Sequence, residues 1–344
     1  MKEKDTKDKG TEKWKESLRS NLPPFQSSIP FLPLGNFPTP VQRLLNLERT
    51  LGFQSLWIKR DDLSGPLGGG NKVRKLEYMF AAAAQADIKK TLFTIGPTGS
   101  NHVRATAVYG KASGFQVECL LFKQPPTDYS ERNYRTICEH ANQIYEVKRM
   151  ETMFARYAYE QIKTTLGIGE ERYFIPAGGS APLGSVGYVK AVLELKSQIE
   201  AGVLPEPRLI FVPVGTCGTM AGLEVGVRLA GLQSRIVGVR VADRVVANTW
   251  AISRMVRRTL RLMGAVDSSN IHARSIELWH DDFGDGYAIP TEAGKRAVAM
   301  MAEHEGLTLE NTYTGKAFAG LIHYVKAHGY EDEPMLFWHT YGTT

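Results

Sequence analysis

The chain has 344 residues, 43% of them hydrophobic and 23% charged, proportions that belong to ordinary globular proteins and exclude wholesale disorder. That length suffices for two domains or one large α/β unit. The net charge of +6 is spread along the sequence with no basic run interleaved by aromatics; no nucleic-acid partner is expected, while small anions such as phosphates and carboxylates suit the balance.

Cys119, Cys138 and Cys217 form no C-x-x-C pair and have no histidine at zinc-finger spacing, so free thiols, a reducing cytoplasmic setting and no metal are expected. Residues 1–20 mix both charge signs around no apolar stretch, which predicts a frayed, disordered terminus and no secretory signal. No run of about 18 apolar residues occurs, so no membrane span is expected.

Glycines at 68–70 lead into a helix over residues 73–85. A strand at 91–95 is followed by a Gly-rich turn and a helix near 102–111, then by a strand at 115–122. The cycle returns at 172–176 with a helix around 187–199, and again at 209–214 with a turn at 215–219 and a helix near 220–230. Further short apolar strands fall at 236–241 and 335–339. Continuous apolar strands separated by helices predict an α/β fold with a parallel, doubly wound sheet covered on both faces. Ligands bind such sheets at the carboxyl ends of the strands, where these Gly-rich turns fall.

Four segments carry potential chemistry. In Gly68-Gly69-Gly70-Asn71-Lys72 the glycines permit close approach of backbone to a ligand, and Asn71 as an N-cap places Lys72 in the first helical turn. The helix end disfavours an ammonium there and frees a nucleophilic amine, although a plain surface lysine fits the same pattern. Gly215-Thr216-Cys217-Gly218-Thr219, between strand and helix, forms a cradle for an anion, or else a simple turn. Its spacing matches neither a dinucleotide fingerprint nor a P-loop. In Gly96-Pro97-Thr98-Gly99-Ser100-Asn101-His102, Ser100 and Asn101 suit a carboxylate or a ring oxygen; no G-x-S-x-G elbow is present, and His102 reads as a packed or capping residue. The fourth is Thr312-Tyr313-Thr314-Gly315-Lys316, with Tyr287 upstream. Buried tyrosines are usually core residues, and only the company of the other segments raises these above that.

Together with Thr39-Pro40, Lys59-Arg60-Asp61-Asp62, the run Gly70 to Glu77, Arg104-Ala105-Thr106 and Gly178-Gly179-Ser180, the chain from about 38 to 341 resembles the family of 1-aminocyclopropane-1-carboxylate deaminase and D-cysteine desulfhydrase. The resemblance implies the tryptophan-synthase-β-like fold (fold type II): a larger domain from residues 1–74 and 186–344, and a smaller inserted one from 75–185. It implies pyridoxal 5'-phosphate in the cleft, bonded to Lys72 as a Schiff base, with Asn71 beside it. Thr216, Cys217, Gly218 and Thr219 are expected around the phosphate and Asn101 at the ring hydroxyl. Ser100 is expected to face a small amino-acid substrate, with Tyr287 and Tyr313 near the reacting carbons. Homodimers are usual in that family.

At the position after the second tyrosine the deaminases carry a glutamate that approaches the pyridine nitrogen; here it is Thr314, as in the desulfhydrases. His339-Thr340 also resembles the desulfhydrase pattern. These features favour β-elimination, with D-cysteine giving pyruvate, hydrogen sulfide and ammonia. The alternatives are cyclopropane opening, another amino-acid lyase such as a cysteate sulfo-lyase or a biosynthetic variant, and a member that binds without turnover. Three positions depart from the family: Gly99 replaces a glutamine, Cys217 is unusual in its loop, and Tyr341 stands where relatives have glycine.

Overall fold

The computed structural model describes residues 29–68, 70–86, 91–265 and 276–342; the expected frayed terminus lies outside them. Two sheets organise the chain. The larger runs β1 (Val41–Arg43), β2 (Ser55–Arg60), β10 (Pro334–His339), β7 (Leu209–Val214), β8 (Arg235–Arg240), β9 (Glu277–Trp279), with only the β1–β2 pair antiparallel. The smaller is wholly parallel, in the order β5 (Gln143–Val147), β4 (Gln116–Phe122), β3 (Thr91–Pro97), β6 (Tyr173–Ile175).

All six residues of β7 are buried, as a strand covered by helices on both faces demands. One face carries α6 (Pro182–Glu200), α7 (Gly218–Ala230) and α8 (Thr249–Leu262), whose apolar residues pack with Ile210, Val212 and Trp338. The opposite face packs α1 (Leu45–Leu51), α9 (Glu292–Glu305) and α10 (Thr314–His328) against Phe211, Val239 and Phe337. Around the smaller sheet, α2 (Lys72–Gln85) and α3 (Asn101–Ala112) cover one face, with α4 (Asp128–His140) contributing Ile137; α5 (Met150–Thr165) covers the other. Local chemistry sets several helix starts: Pro182 opens α6, and the hydroxyls of Ser100 and Thr291 cap α3 and α9.

Where α2 leaves the larger sheet, a buried charge network fixes its first turn. Arg74 donates to Asp61 at 2.8 Å and to Glu194 at 2.9 Å, and Lys59 donates to Glu194 at 2.5 Å. Tyr188 and Trp338 each donate to Oδ2 of Asp61, at 2.9 and 2.8 Å. Buried ions persist only when paired and fully hydrogen-bonded, and this cluster meets that condition across β2, α2 and α6.

Candidate active site

A cavity of about 350 Å³ lies at the carboxyl ends of β3, β4, β7 and β10. It is the crevice expected for open α/β sheets. Lys72 is the first residue of α2 and lines it. Burial holds its amine down to about 8, against an ordinary lysine value of 10.5, and no carboxylate pairs with it among the described residues. The amine is therefore poised as a nucleophile.

Asn71 occupies the N-cap position, yet its side chain makes no capping bond. Its backbone is already helical (φ −61°, ψ −13°), which turns the amide to donate to Thr219 Oγ1 at 3.3 Å. The expected cap is thus corrected, and Asn71 instead links the Lys72 turn to the loop opposite.

That loop ends at the N-terminus of α7, a helix of 13 residues. Cys217 is left-handed (φ +68°), a conformation rare outside glycine. Its thiol donates to the Val246 carbonyl at 3.3 Å, and burial pushes it up to about 11. Thr216, Cys217, Gly218 and Thr219 all line the cavity. Amides and hydroxyls at a helix start constitute an anion cradle.

Two residues that the sequence reading left without a role sit behind this cradle. Ser180 Oγ lies 2.7 Å from Thr216 Oγ1 and accepts the Gly218 amide at 3.2 Å. Lys75, one turn beyond Lys72, donates to the Gly178 carbonyl at 3.1 Å, and burial drives its pKa well down. The spacing Lys72–Lys75, three apart on a helix face, was the available signal.

On the wall formed by α3, Ser100 Oγ accepts the Val103 amide at 3.3 Å, and Asn101 Oδ1 accepts from Asn133 at 3.1 Å. Both line the cavity. His102 is buried, 3.0 Å from the Thr94 hydroxyl, a packed histidine as expected.

Tyr287 and Tyr313 come together from separate loops, and their hydroxyls are hydrogen-bonded to each other at the cavity wall. Burial raises both, Tyr287 to about 12. Lys316 holds the Tyr287 loop by donating to the carbonyls of Phe283 at 2.6 Å and Gly286 at 3.1 Å. Thr314 is fully buried and does not line the cavity; Glu310, which sequence reasoning missed, does. Its carboxyl accepts the amides of Thr312, Tyr313 and Thr314, a cap formed from outside the helix.

The residues present fit a phosphorylated aldehyde. A lysine amine with a pKa lowered by burial shares one cavity with a helix-end cradle, and the hydroxyls of Ser100, Thr216 and Thr219 line the same cavity. No group of three or more metal-ligating side chains occurs among the described residues.

The pyridoxal-phosphate dependent enzyme family matches residues 32–340. D-cysteine desulfhydrase of Klebsiella pneumoniae (strain 342) is 37% identical over 323 residues, 91% of this chain and 94% of the relative. The enzyme of that name from Serratia proteamaculans is 34% identical, covering 94% and 96%. The crystal structure of an ACC deaminase homologue superposes with a TM-score of 0.78 at 32% identity, over 92% of this chain and 93% of that one. A threonine deaminase from Solanum lycopersicum shares the fold at a TM-score of 0.63 and 16% identity. The chain belongs to the pyridoxal-phosphate dependent enzyme family, among the relatives of D-cysteine desulfhydrase and ACC deaminase.

Proposed function

We propose that this protein holds pyridoxal phosphate on Lys72 and eliminates the β-substituent of a small amino acid, D-cysteine foremost, giving pyruvate, hydrogen sulfide and ammonia. The observation that carries the reading is the Lys72 amine, its pKa lowered to about 8 by burial, sharing one cavity with the α7 cradle. The curated relatives with which the chain aligns over nine-tenths of its length bear the name of that activity.

The cofactor, when bound, supplies an electron sink for charge developing at the substrate's Cα. The rest falls to the chain. The Thr219 amide and the Thr216 and Thr219 hydroxyls would hold the phosphate, with Ser180 and Lys75 fixing the loop from behind. Asn71 and Asn101 orient the ring. Ser100 and the amides at the start of α3 bind the substrate carboxylate. The Lys72 amine would take the Cα proton. The Tyr287–Tyr313 pair holds one hydroxyl proton between its oxygens and has a second to donate to the leaving group. We assign the boundaries of the smaller unit to residues 75 and 185. The protein works as a homodimer in the cytoplasm, a setting supported by three cysteines that are all unpaired.

One observation favours a second reading. Glu310 places a carboxyl at the cavity wall, bonded to Thr314, and so restores an acid beside the position where deaminases carry glutamate. Ring opening of 1-aminocyclopropane-1-carboxylate is therefore the alternative reaction. The test is purification with the cofactor, borohydride trapping and a substrate panel. The trapped adduct is expected on Lys72, with pyruvate and sulfide released from D-cysteine and little ammonia from the cyclopropane substrate. Trapping at another residue, or retention of bound cofactor colour and turnover by Lys72→Ala, overturns the assignment.

A further inference from the structure

The net charge of +6, expected to be spread along the chain, is concentrated on one helix. Between Asp243 and Asp267 the sequence has five arginines (Arg244, Arg254, Arg257, Arg258 and Arg261) and no acidic residue. Of the 42 basic residues, the 37 elsewhere nearly balance the 36 acidic ones. The arginines form no continuous run and converge only once α8 is wound. At 3.6 residues per turn, Trp250, Arg254, Arg257, Arg258 and Arg261 fall within about 100° of one another around the helix. Ile252, Val256, Leu260 and Met263 lie on the opposite side and pack into the core of the larger sheet.

The outward face is open. Trp250 is 61% exposed, and the Arg254 guanidinium lies over its ring, 5.5 Å from the centroid. Arg254, Arg258 and Arg261 are exposed, and none of them meets a carboxylate among the described residues. The loop before the helix adds Arg244 and Val245, the latter 88% exposed. Asn248 fastens that loop to the helix: its side chain accepts the Ala251 amide at 2.8 Å and donates to the Arg244 carbonyl at 2.9 Å. The same loop reaches the active site. Asp243 and Val246 line the cavity, and the Val246 carbonyl takes the Cys217 thiol. The charged surface therefore begins at the rim of the site.

The charge calls for an anionic partner, and the rest of the face narrows its class. Helices that lie on a bilayer sink an apolar side into it, whereas the apolar side of α8 is spent on the core. Single-stranded nucleic acid needs successive aromatic platforms, and this face has Trp250 alone. A second copy docked about a two-fold axis would set arginines against arginines. A protein carboxylate fits: the guanidinium fork matches its two oxygens, and tryptophan and arginine are the residue types that dominate protein interfaces. We propose that the Trp250–Arg254–Arg258–Arg261 face of α8 docks an acidic segment of another protein, with carboxylates on the arginines and an apolar side chain against Trp250.

Binding of fluorescein-labelled poly-L-glutamate and of a random glutamate–tyrosine copolymer to the cofactor-loaded protein is followed by anisotropy at an ionic strength of about 0.15 M. The copolymer is expected to bind about tenfold more tightly than poly-L-glutamate. Trp250→Ala is expected to remove that difference, and Arg254→Glu with Arg258→Glu to weaken both by more than about tenfold. Lys295→Glu with Lys326→Glu makes the same change in net charge on α9 and α10, across the larger sheet, and is expected to alter binding by less than about twofold. Thermal denaturation checks that each variant is folded. An equal loss from the two charge reversals overturns the proposal, as does a copolymer preference that survives Trp250→Ala. Tighter binding of polyuridylate or of phosphatidylserine vesicles under the same conditions overturns it in favour of another class of partner. Self-association lost on Arg254→Glu with Arg258→Glu, measured by sedimentation, overturns it in favour of a second copy. No step reads turnover, so the outcome is independent of the proposed reaction.

Discussion

Glu310 and Thr314 close a ring of hydrogen bonds at the start of α10: the Thr314 hydroxyl donates to Oε1 of Glu310 at 3.0 Å and accepts the Glu310 amide at 2.9 Å. The carboxyl also takes the Tyr313 amide at 2.9 Å, so the tyrosine at the cavity wall is hung from a buried acid. Burial raises that acid's pKa while the surrounding amides oppose the shift.

Glu310→Ala leaves three buried amides without their acceptor. The expected cost is about 2 kcal/mol of stability, together with a fall in kcat of more than about tenfold as Tyr313 loses its support. Thermal denaturation and steady-state kinetics check both. A variant of unchanged stability and rate would show that the ring supports nothing.

Tyr313→Phe and Tyr287→Phe each remove one member of the hydroxyl pair. Each is expected to lower kcat by about a hundredfold, as for loss of a positioned proton donor, while KM changes little. The double variant should be scarcely worse than either single one, because the two hydroxyls act as a unit. Additive losses would separate their roles.

Lys72 titrates near 8 in the folded protein. Its neutral fraction, and with it the rate at which cofactor-free protein captures pyridoxal phosphate, should rise with pH and level off above that midpoint. Stopped-flow absorbance over pH 6–10, about two units either side of the midpoint, measures it. A rate still climbing steeply at the upper end would place the amine at an ordinary lysine value.

Arg74→Met removes the ion-pair partner of Asp61 and leaves Glu194 with Lys59 alone, in a buried site. Breaking such a cluster costs about 3–5 kcal/mol, visible in chemical denaturation. The acid limb provides a second check. Glu194 is held at about 2 when folded, below its ordinary 4.5, so its stabilisation is complete above 4.5 and is lost as pH falls through 2. The variant should lose much of that acid dependence.

The parallel strands were legible because they are uniformly apolar. Residues 91–95, 209–214 and 335–339 reappear as β3, β7 and β10 with ends moved by no more than two residues. The turns that follow β3 and β7 led directly to Ser100, Asn101, Thr216 and Thr219. β2 was passed over because it ends in Lys59 and Arg60, charges that patterning assigns to the surface. Lys59 is buried only because Glu194, 135 residues away, meets it. Glu310 was invisible for a related reason: its place is set by where α10 begins, and nothing in Leu309-Glu310-Asn311 announces a cap. The close approach of α4 to Gly99, where a Cβ would lie 2.4 Å from Ser130 Cβ, was likewise hidden, for a glycine records what is absent and not what fills the space.

β10 lies between β2 and β7, although some 120 residues separate it from the latter along the chain. The middle of the larger sheet therefore cannot be bonded during synthesis until that late strand has emerged, whereas the smaller sheet has all its strands by residue 175. In a growing chain β2 and β7 wait as open edges, a state in which aggregation competes with folding. Messages truncated ahead of residue 334 would accordingly produce insoluble product in place of a weak enzyme.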